Sequence, residues 1–344
     1  NLNNAYGLPL TLCRLAPDHE AVVVEVGMSR RGELARLAEI AEPEIGVVTN
    51  VGPVHLEFFS SVEEIALAKR ELIEGLASAE PVAVLNADDP RVSRFAEVCR
   101  GRVVTFGLAP SAQYHARGVE NRGEEGTAFT LVSPQGEARL LLSLSGRHNL
   151  TNALAALAAA AEFGVGVEEA RPVLRTLKPP ALRGERVRFA EGFAVINDSY
   201  NSNPVALTAA AELLAATPGY RRRILAAGEM LELGPAAAEL HREAGRRLAA
   251  MRRLDWIFGV QGHAAEILRG AIEAGFSEAR TQFFEEVEQA AQFLVGFIGR
   301  GDLLLVKGSR GVRMERIVER LASRFTRVED SVPATETQAP GVSP

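Results

Sequence analysis

The sequence predicts an α/β protein made of two parallel-sheet units, and three observations predict it. Short apolar runs ending in polar residues alternate with helical stretches, once before residue 110 and again after residue 190; strands alternating with helices indicate parallel sheets with crossover helices. Between them, Arg171 to Leu182 contains Pro172, Pro179 and Pro180, a composition suited to a domain boundary. Finally, 344 residues suffice for two cores, each of ordinary domain size.

Leu8 to Leu15 has helical apolar spacing, and AVVVEVG, Ala21 to Gly27, reads as a strand carrying one charge, Glu25. A lone carboxylate on a buried strand needs a cation, a hydrogen-bonding partner or solvent at the strand's end. A helix over Gly32 to Ala41 leads to the stretch on which the first unit turns, IGVVTNVGPVHLEFFSSVEEIALAKRELIEGL, Ile45 to Leu76. It begins with a buried-strand run, passes a Gly-Pro turn and His55, and restarts as a helix at Ser61, where Glu64 completes a capping box. Val62, Ile65, Leu72, Ile73 and Leu76 share one helical face, and Lys69 sits among them. A lysine there must snorkel, pair or be used chemically. Lys69, Lys178 and Lys307 are the three lysines among 38 basic residues, and only a lysine can offer a neutral amine.

Further strands follow at PVAVLN, ending at Asn86, and at Arg102 to Phe106, with a helix near Val92 to Arg100 between them. Ser111 to Leu144 reads as a small antiparallel excursion, and SGRHNLTNALAALAAAAEFGVG as a polar entry to an Ala-rich helix that Asn149 or Asn152 could simply cap. The second unit repeats the rhythm in Phe193 to Asp198, Arg223 to Met230, Leu254 to Val260 and Asp302 to Gly311. The Pro-rich polar tail after Arg327 is expected to be disordered.

Composition excludes several classes. A net charge of −6 leaves no basic footprint for nucleic acid. No apolar run has the length of a membrane span, and no signal peptide is visible. Cys13 and Cys99 stand in no metal or redox spacing, so both are expected to be buried, inert thiols in a reducing cytoplasm. Polar residues recur where strands hand over to loops: His55, Asn86, Asp198, Glu229 and Lys307. Ligands of open parallel sheets bind at such ends, which favours a site in the cleft between the two units. Glu25, His55 and Lys69 could form a cation site only if Lys69 took up carbon dioxide as a carbamate.

TNVGPVHLEFFSSVEEIALAKREL, GRHNLTNALAA, NDSYNSNPVAL, AGEMLELG with His241 following, and LVKGSRGVRME together resemble the Mur ligases, from Asn1 to about Arg324. Within that family they look like the members that add D-alanyl-D-alanine to UDP-N-acetylmuramoyl-tripeptide. The resemblance implies an ATP-binding central domain over 1–180, with a partial parallel sheet, and a Rossmann-like C-terminal domain over 181–327, before a tail over 328–344. It implies a cytoplasmic, monomeric, ATP- and Mg2+-dependent ligase of peptidoglycan precursor synthesis. Lys69 matches the carbamylated lysine, and Glu25 and His55 the residues associated with magnesium. Asn149 and Asn152 match an element beside the adenine, Arg183 an arginine reaching the ATP phosphates, and Asp198 the ribose-side aspartate. Asn201 and Asn203 share that loop, while Lys307, Ser309 and Arg310 are implied to serve nucleotide phosphate or the incoming dipeptide.

The match departs from the family at three places. Asn197 stands where a second aspartate is common, and Glu229 where Gly-Asp-Met is usual. The Gly-rich phosphate loop, G-x-x-x-x-G-K-S/T, is absent from the 344 residues; the family carries it just before the Asn-Leu-Asn-Asn stretch, after a UDP-binding domain. The sequence is therefore expected to start inside a longer protein, to lack ligase turnover alone and to bind ATP weakly at best, with a missing first strand exposing apolar surface. A related carboxylate–amine ligase, such as a folate polyglutamate ligase, and a non-catalytic Mur-like binding module are the alternative readings.

Overall fold

The computed structural model describes residues 2–53 and 57–328. Its described residues form two sheets that follow one another along the chain. The first takes its strands in sequence order: β1 (Ile45–Val48), β2 (Val82–Asn86), β3 (Arg102–Gly107), β4 (Tyr114–Asn121), β5 (Thr127–Ser133) and β6 (Gly136–Leu142). β1 to β4 are parallel, and β4 to β6 form the expected antiparallel excursion.

β2 shows why these runs are strands. All five residues are buried, as a strand covered on both faces requires. Val82 and Val84 face a core built with Phe106, Phe129 and Leu154, while Ala83 and Leu85 face Ile65 and Ile73. Helices α1 (Gly7–Leu12), α2 (Glu33–Ala41), α3 (Val62–Glu74) and α4 (Pro90–Ser93) precede α5 (Arg147–Ala161) and α6 (Val167–Thr176). The Ser61 side chain caps α3 by accepting from the Glu64 N–H at 3.2 Å. The Glu64 carboxylate accepts from Ser60 rather than from Ser61, so the capping box closes one residue early.

The second sheet has the order β11-β10-β9-β12-β8-β7-β13. Its elements are β7 (Glu185–Phe189), β8 (Ala194–Asp198), α7 (Pro204–Ala216), β9 (Arg222–Gly228), α8 (Ala237–Ala249), β10 (Trp256–Val260), α9 (Ala264–Glu273), β11 (Thr281–Phe284), α10 (Val287–Phe297), β12 (Asp302–Lys307), α11 (Glu315–Arg324) and β13 (Arg327–Val328). β8 to β12 are mutually parallel. The last of them, β12, returns to lie between β8 and β9, a switch in strand order that opens a crevice at the carboxyl ends of these three strands. β7 and β13 add an antiparallel edge.

Several expectations are corrected. Ala21 to Gly27 is not a strand. A strand needs a paired neighbour, and here Val23 is 93% exposed. Leu2, Tyr6, Leu10, Val22 and Val47 are exposed as well. Cys13 is exposed and Cys99 half-buried, because Cys13 follows the short, partly exposed helix α1. Pro172 lies inside α6 rather than in a linker, so 177–184 connects the sheets. Val328, expected in a disordered tail, pairs with Arg188; the rest of that tail lies outside the described residues. No helix among the described residues is long and apolar enough to cross a membrane.

Candidate functional site

The carboxyl ends of β8 and β12 put Asp198 and Lys307 opposite each other in register. The Lys307 ammonium, 3% exposed, donates to the Asp198 carboxylate at 2.7 Å and to the Asn201 carbonyl at 2.9 Å. It ties the 199–203 loop to the sheet, so its first task is internal. Asn203 caps α7 by accepting from the Ala206 N–H, with Pro204 at the first helical position. The Asn201 side chain accepts from the Ser202 N–H. The Ser309 hydroxyl accepts from the Leu231 N–H at 2.9 Å, joining the loops after β12 and β9. Of the residues expected to hold substrate in these loops, Asn201 and Arg310 are exposed, the Arg310 side chain 57% so and paired with Glu315.

Beside this lies a cleft of about 380 Å³ lined from both units, by Ser145, His148, Asn149 and Lys178 on one side and Arg183 and Asp198 on the other. The connector that carries Arg183 is fastened to the second sheet. Gly184 donates to Asn197 and Tyr200 donates to Leu182, whose φ of 64° is left-handed. The Arg183 guanidinium lies 4.0 Å from the centre of the Tyr200 ring, a cation–π contact that fixes it at the rim. The Asn149 amide donates to the Ser145 carbonyl at 2.8 Å. Asn152 is exposed and does not line the cleft.

His148 and Lys178 were not singled out from sequence, although His148 lies within GRHNLTN. Burial pushes the His148 imidazole below its ordinary pKa, Lys307 pushes it the same way, and Asp198 opposes both. This electrostatic coupling joins the start of α5 to the ends of β8 and β12. Its signal was a distance between residues fifty apart, which no motif spells. The adjoining Gly146 has φ 102°, and a Cβ there would stand 2.9 Å from the His148 ring, so glycine is required on both counts.

Lys69 lies elsewhere, beside the ends of β1 and β2. Its ammonium donates to the Asn50 carbonyl at 2.8 Å. Burial pushes its pKa below the ordinary lysine value, with Asp89 opposing. The Asp89 carboxylate accepts from Val51 at 2.7 Å and caps α4 through Arg91 and Val92. The Asn86 amide donates to Thr49 at 2.7 Å. Lys69 is half-buried, and its ammonium ties the chain at Asn50 to α3.

Glu25 is exposed and accepts from the Asn3 amide at 3.1 Å; the carboxylate acting on Lys69 is Asp89. His55 lies outside the described residues. Among the described residues no three His, Cys, Asp or Glu side chains converge as a metal site. An unmodified ammonium does not ligate a cation, and His55 is outside the described residues, so the implied magnesium set is not complete among them. Glu229, at the end of β9, accepts from the His263 N–H at the start of α9. His241 accepts from the Met230 N–H at 2.9 Å. Both order the loop after β9, whose Glu232 carbonyl accepts from Glu57 of the first unit at 3.3 Å.

Known proteins match this arrangement. The Mur ligase middle domain matches residues 1–160, and the Mur ligase glutamate ligase domain matches 182–310. The UDP-N-acetylmuramoyl-tripeptide–D-alanyl-D-alanine ligase of Bacillus subtilis is 35% identical over 321 residues, covering 93% of this chain and 68% of the relative. Its Escherichia coli counterpart is 34% identical over 331 residues, covering 95% and 70%. The crystal structure of MurF from Acinetobacter baumannii superimposes with a TM-score of 0.84 at 28% identity, covering 94% of this chain and 69% of that one. MurF from Thermotoga maritima in complex with ADP does so with 0.80 at 30% identity, covering 94% and 72%. The two sheets and the cleft between them therefore have known counterparts along nearly the whole sequence, and the chain belongs to the Mur ligase family.

Proposed function

We propose that the chain serves ATP-dependent amide synthesis, joining D-alanyl-D-alanine to UDP-N-acetylmuramoyl-tripeptide in the cytoplasm as a monomer. The observation that carries this reading is the cleft between the two units, where Asn149, Arg183 and Asp198 stand around a space suited to a nucleotide. Residues 1–180 act as the ATPase unit and 181–327 as the unit receiving the amine. The tripeptide carboxylate attacks the γ-phosphorus and ADP leaves, giving an acyl phosphate. The dipeptide amine then attacks the acyl carbon, phosphate leaves and the amine proton is lost.

In this reading Asn149 lies beside the adenine, with Asn152 further along α5, Asp198 meets the ribose, and Arg183 offsets charge building on the phosphates. Lys307 acts through Asp198 and Asn201, which it holds. Asn201, Asn203, Ser309 and Arg310 form the end that receives the dipeptide. Burial lowers the Lys69 pKa, the direction that favours the neutral amine from which a carbamate forms: the neutral amine adds carbon dioxide and loses one proton. Magnesium, implied for the family, would supply charge neutralisation to the phosphates; no step here is assigned through it.

Calorimetric titration with ADP tests the reading. One site is expected, and Arg183→Ala should weaken ADP more than adenosine. Absence of ADP binding, or binding indifferent to Arg183→Ala and to Asn149→Ala, would remove the nucleotide from this cleft.

A further inference from the structure

The motif LVKGSRGVRME ends in Glu315, to which the proposed function gives no task. Glu315 opens α11, and its side chain is only 13% exposed. One carboxylate oxygen accepts from the Arg310 guanidinium at 2.6 Å. The other is buried and has no hydrogen-bond partner. A buried carboxylate oxygen left unpaired is costly, and such groups in native proteins call for an explanation.

The backbone around Arg310 is fastened as well. Ser309 is tied to Leu231, the Val312 N–H donates back to Ser309, and Arg313 adopts a left-handed φ of 62°. Gly311 packs so closely on Leu231 that a Cβ would stand 2.8 Å from its side chain. One exposed guanidinium is therefore held from below by one buried carboxylate, on a turn pinned from both sides. A planar guanidinium so oriented keeps its remaining N–H donors aligned for a second carboxylate.

Resting on the proposed function, we infer that Glu315 is the positioning residue that aims Arg310 at the terminal carboxylate of the incoming dipeptide. Glu315 touches no substrate. It fixes the guanidinium before binding, so that little side-chain freedom is lost when the dipeptide carboxylate arrives. The specificity that results is for a free carboxylate terminus.

The test compares D-alanyl-D-alanine with D-alanyl-D-alaninamide, titrated into the full chain with and without ADP. The wild type should bind the acid about tenfold more tightly than the amide, the scale of one charge-assisted contact. Glu315→Gln keeps the shape and an acceptor oxygen but loses the charge. It should cut that preference at least ~3-fold while leaving the melting temperature and the ADP affinity unchanged. Arg310→Met should abolish the preference, and adding Glu315→Gln to it should change nothing further. Should Glu315→Gln not fold, Glu315→Asp, which retracts the charge by one methylene, is read the same way.

An unchanged acid-to-amide ratio in a folded Glu315 variant overturns the inference, as does a further loss in the double variant. Equal binding of acid and amide by the wild type overturns it too, while leaving the proposed function standing. Failure of the wild type to bind both ADP and either dipeptide overturns the function itself.

Discussion

Lys307 and Asp198 are register partners on adjacent parallel strands, and their charged groups meet at 2.7 Å with the ammonium almost wholly buried. The carboxylate keeps contact with solvent, its side chain being 23% exposed. The two partners should therefore not be equal under mutation. Lys307→Met removes the cation and frees the Asn201 carbonyl, and should cost about 3 kcal/mol in urea unfolding. Asp198→Asn leaves a buried ammonium with a weaker acceptor and should cost more, because the carboxylate stranded by Lys307→Met keeps contact with solvent whereas the ammonium does not. The pair Lys307→Met with Asp198→Asn should be less damaging than the sum. Strict additivity would mean the two groups act on the fold separately.

Helices α8 and α9 touch backbone to backbone. A Cβ on Gly245 would stand 2.0 Å from the Ile267 carbonyl oxygen, and one on Gly270 would stand 1.9 Å from that of Arg242. In a helix interior alanine is better than glycine by about 1 kcal/mol. Here the overlap is with backbone, which cannot rotate away, and overpacking costs about 1–3 kcal/mol or more. The steric term decides the sign. Gly245→Ala and Gly270→Ala should each lower the melting temperature, and a rise in either would show that the helices can separate freely.

His241 sets a pH dependence. Its Nε2 accepts from the Met230 N–H and its Nδ1 lies 2.6 Å from the Ala237 carbonyl, so the ring is neutral with its proton on Nδ1. Burial pushes its pKa below the ordinary 6.5. The unfolded chain therefore binds the proton at a higher pH than the native one. The contribution is complete above about pH 6.5 and is lost as pH falls toward the lower folded value. Urea midpoints should drop between pH 7.5 and 5.5, and the drop should shrink in His241→Gln. His148, displaced downward mainly by burial, adds in the same direction, so an equal drop in the variant would assign the effect to His148.

How far the sequence could be read depended on how far each feature is decided locally. β2 and β12 were visible because a strand buried on both faces is apolar throughout. The run at Ala21 to Gly27 has the same composition, yet strand formation needs a partner that composition cannot name. Asn203 and Ser309 look like ligand groups in a motif, and a motif does not spell that the same oxygens also serve as a helix cap and a loop tie. Glu25 and Lys69 are engaged by different neighbours, Asn3 and Asn50. The pairing of Glu315 with Arg310 is five residues long and could have been suspected, since i and i+5 straddle the turn that opens α11.

Lys69 is where a structural and a chemical role make opposite demands. Its side chain is half-buried, burial lowers its pKa, and its ammonium lies 2.8 Å from the Asn50 carbonyl. A purely structural lysine needs a donor at the end of a long stem, which arginine could supply in part. A carbamate needs the neutral amine itself, which arginine never offers. Incubation with 13C-bicarbonate at pH 8 should give one carbamate carbon resonance in the wild type, fading on acidification because carbamate breakdown takes up a proton. Lys69→Arg and Lys69→Met should lack it while remaining folded. Neither Lys178 nor Lys307 should replace it, the first being exposed and the second committed to Asp198. A resonance surviving in Lys69→Met would move the modification elsewhere. Its absence from the wild type, with Lys69→Arg as stable as the parent, would leave Lys69 as the donor that holds the turn at Asn50.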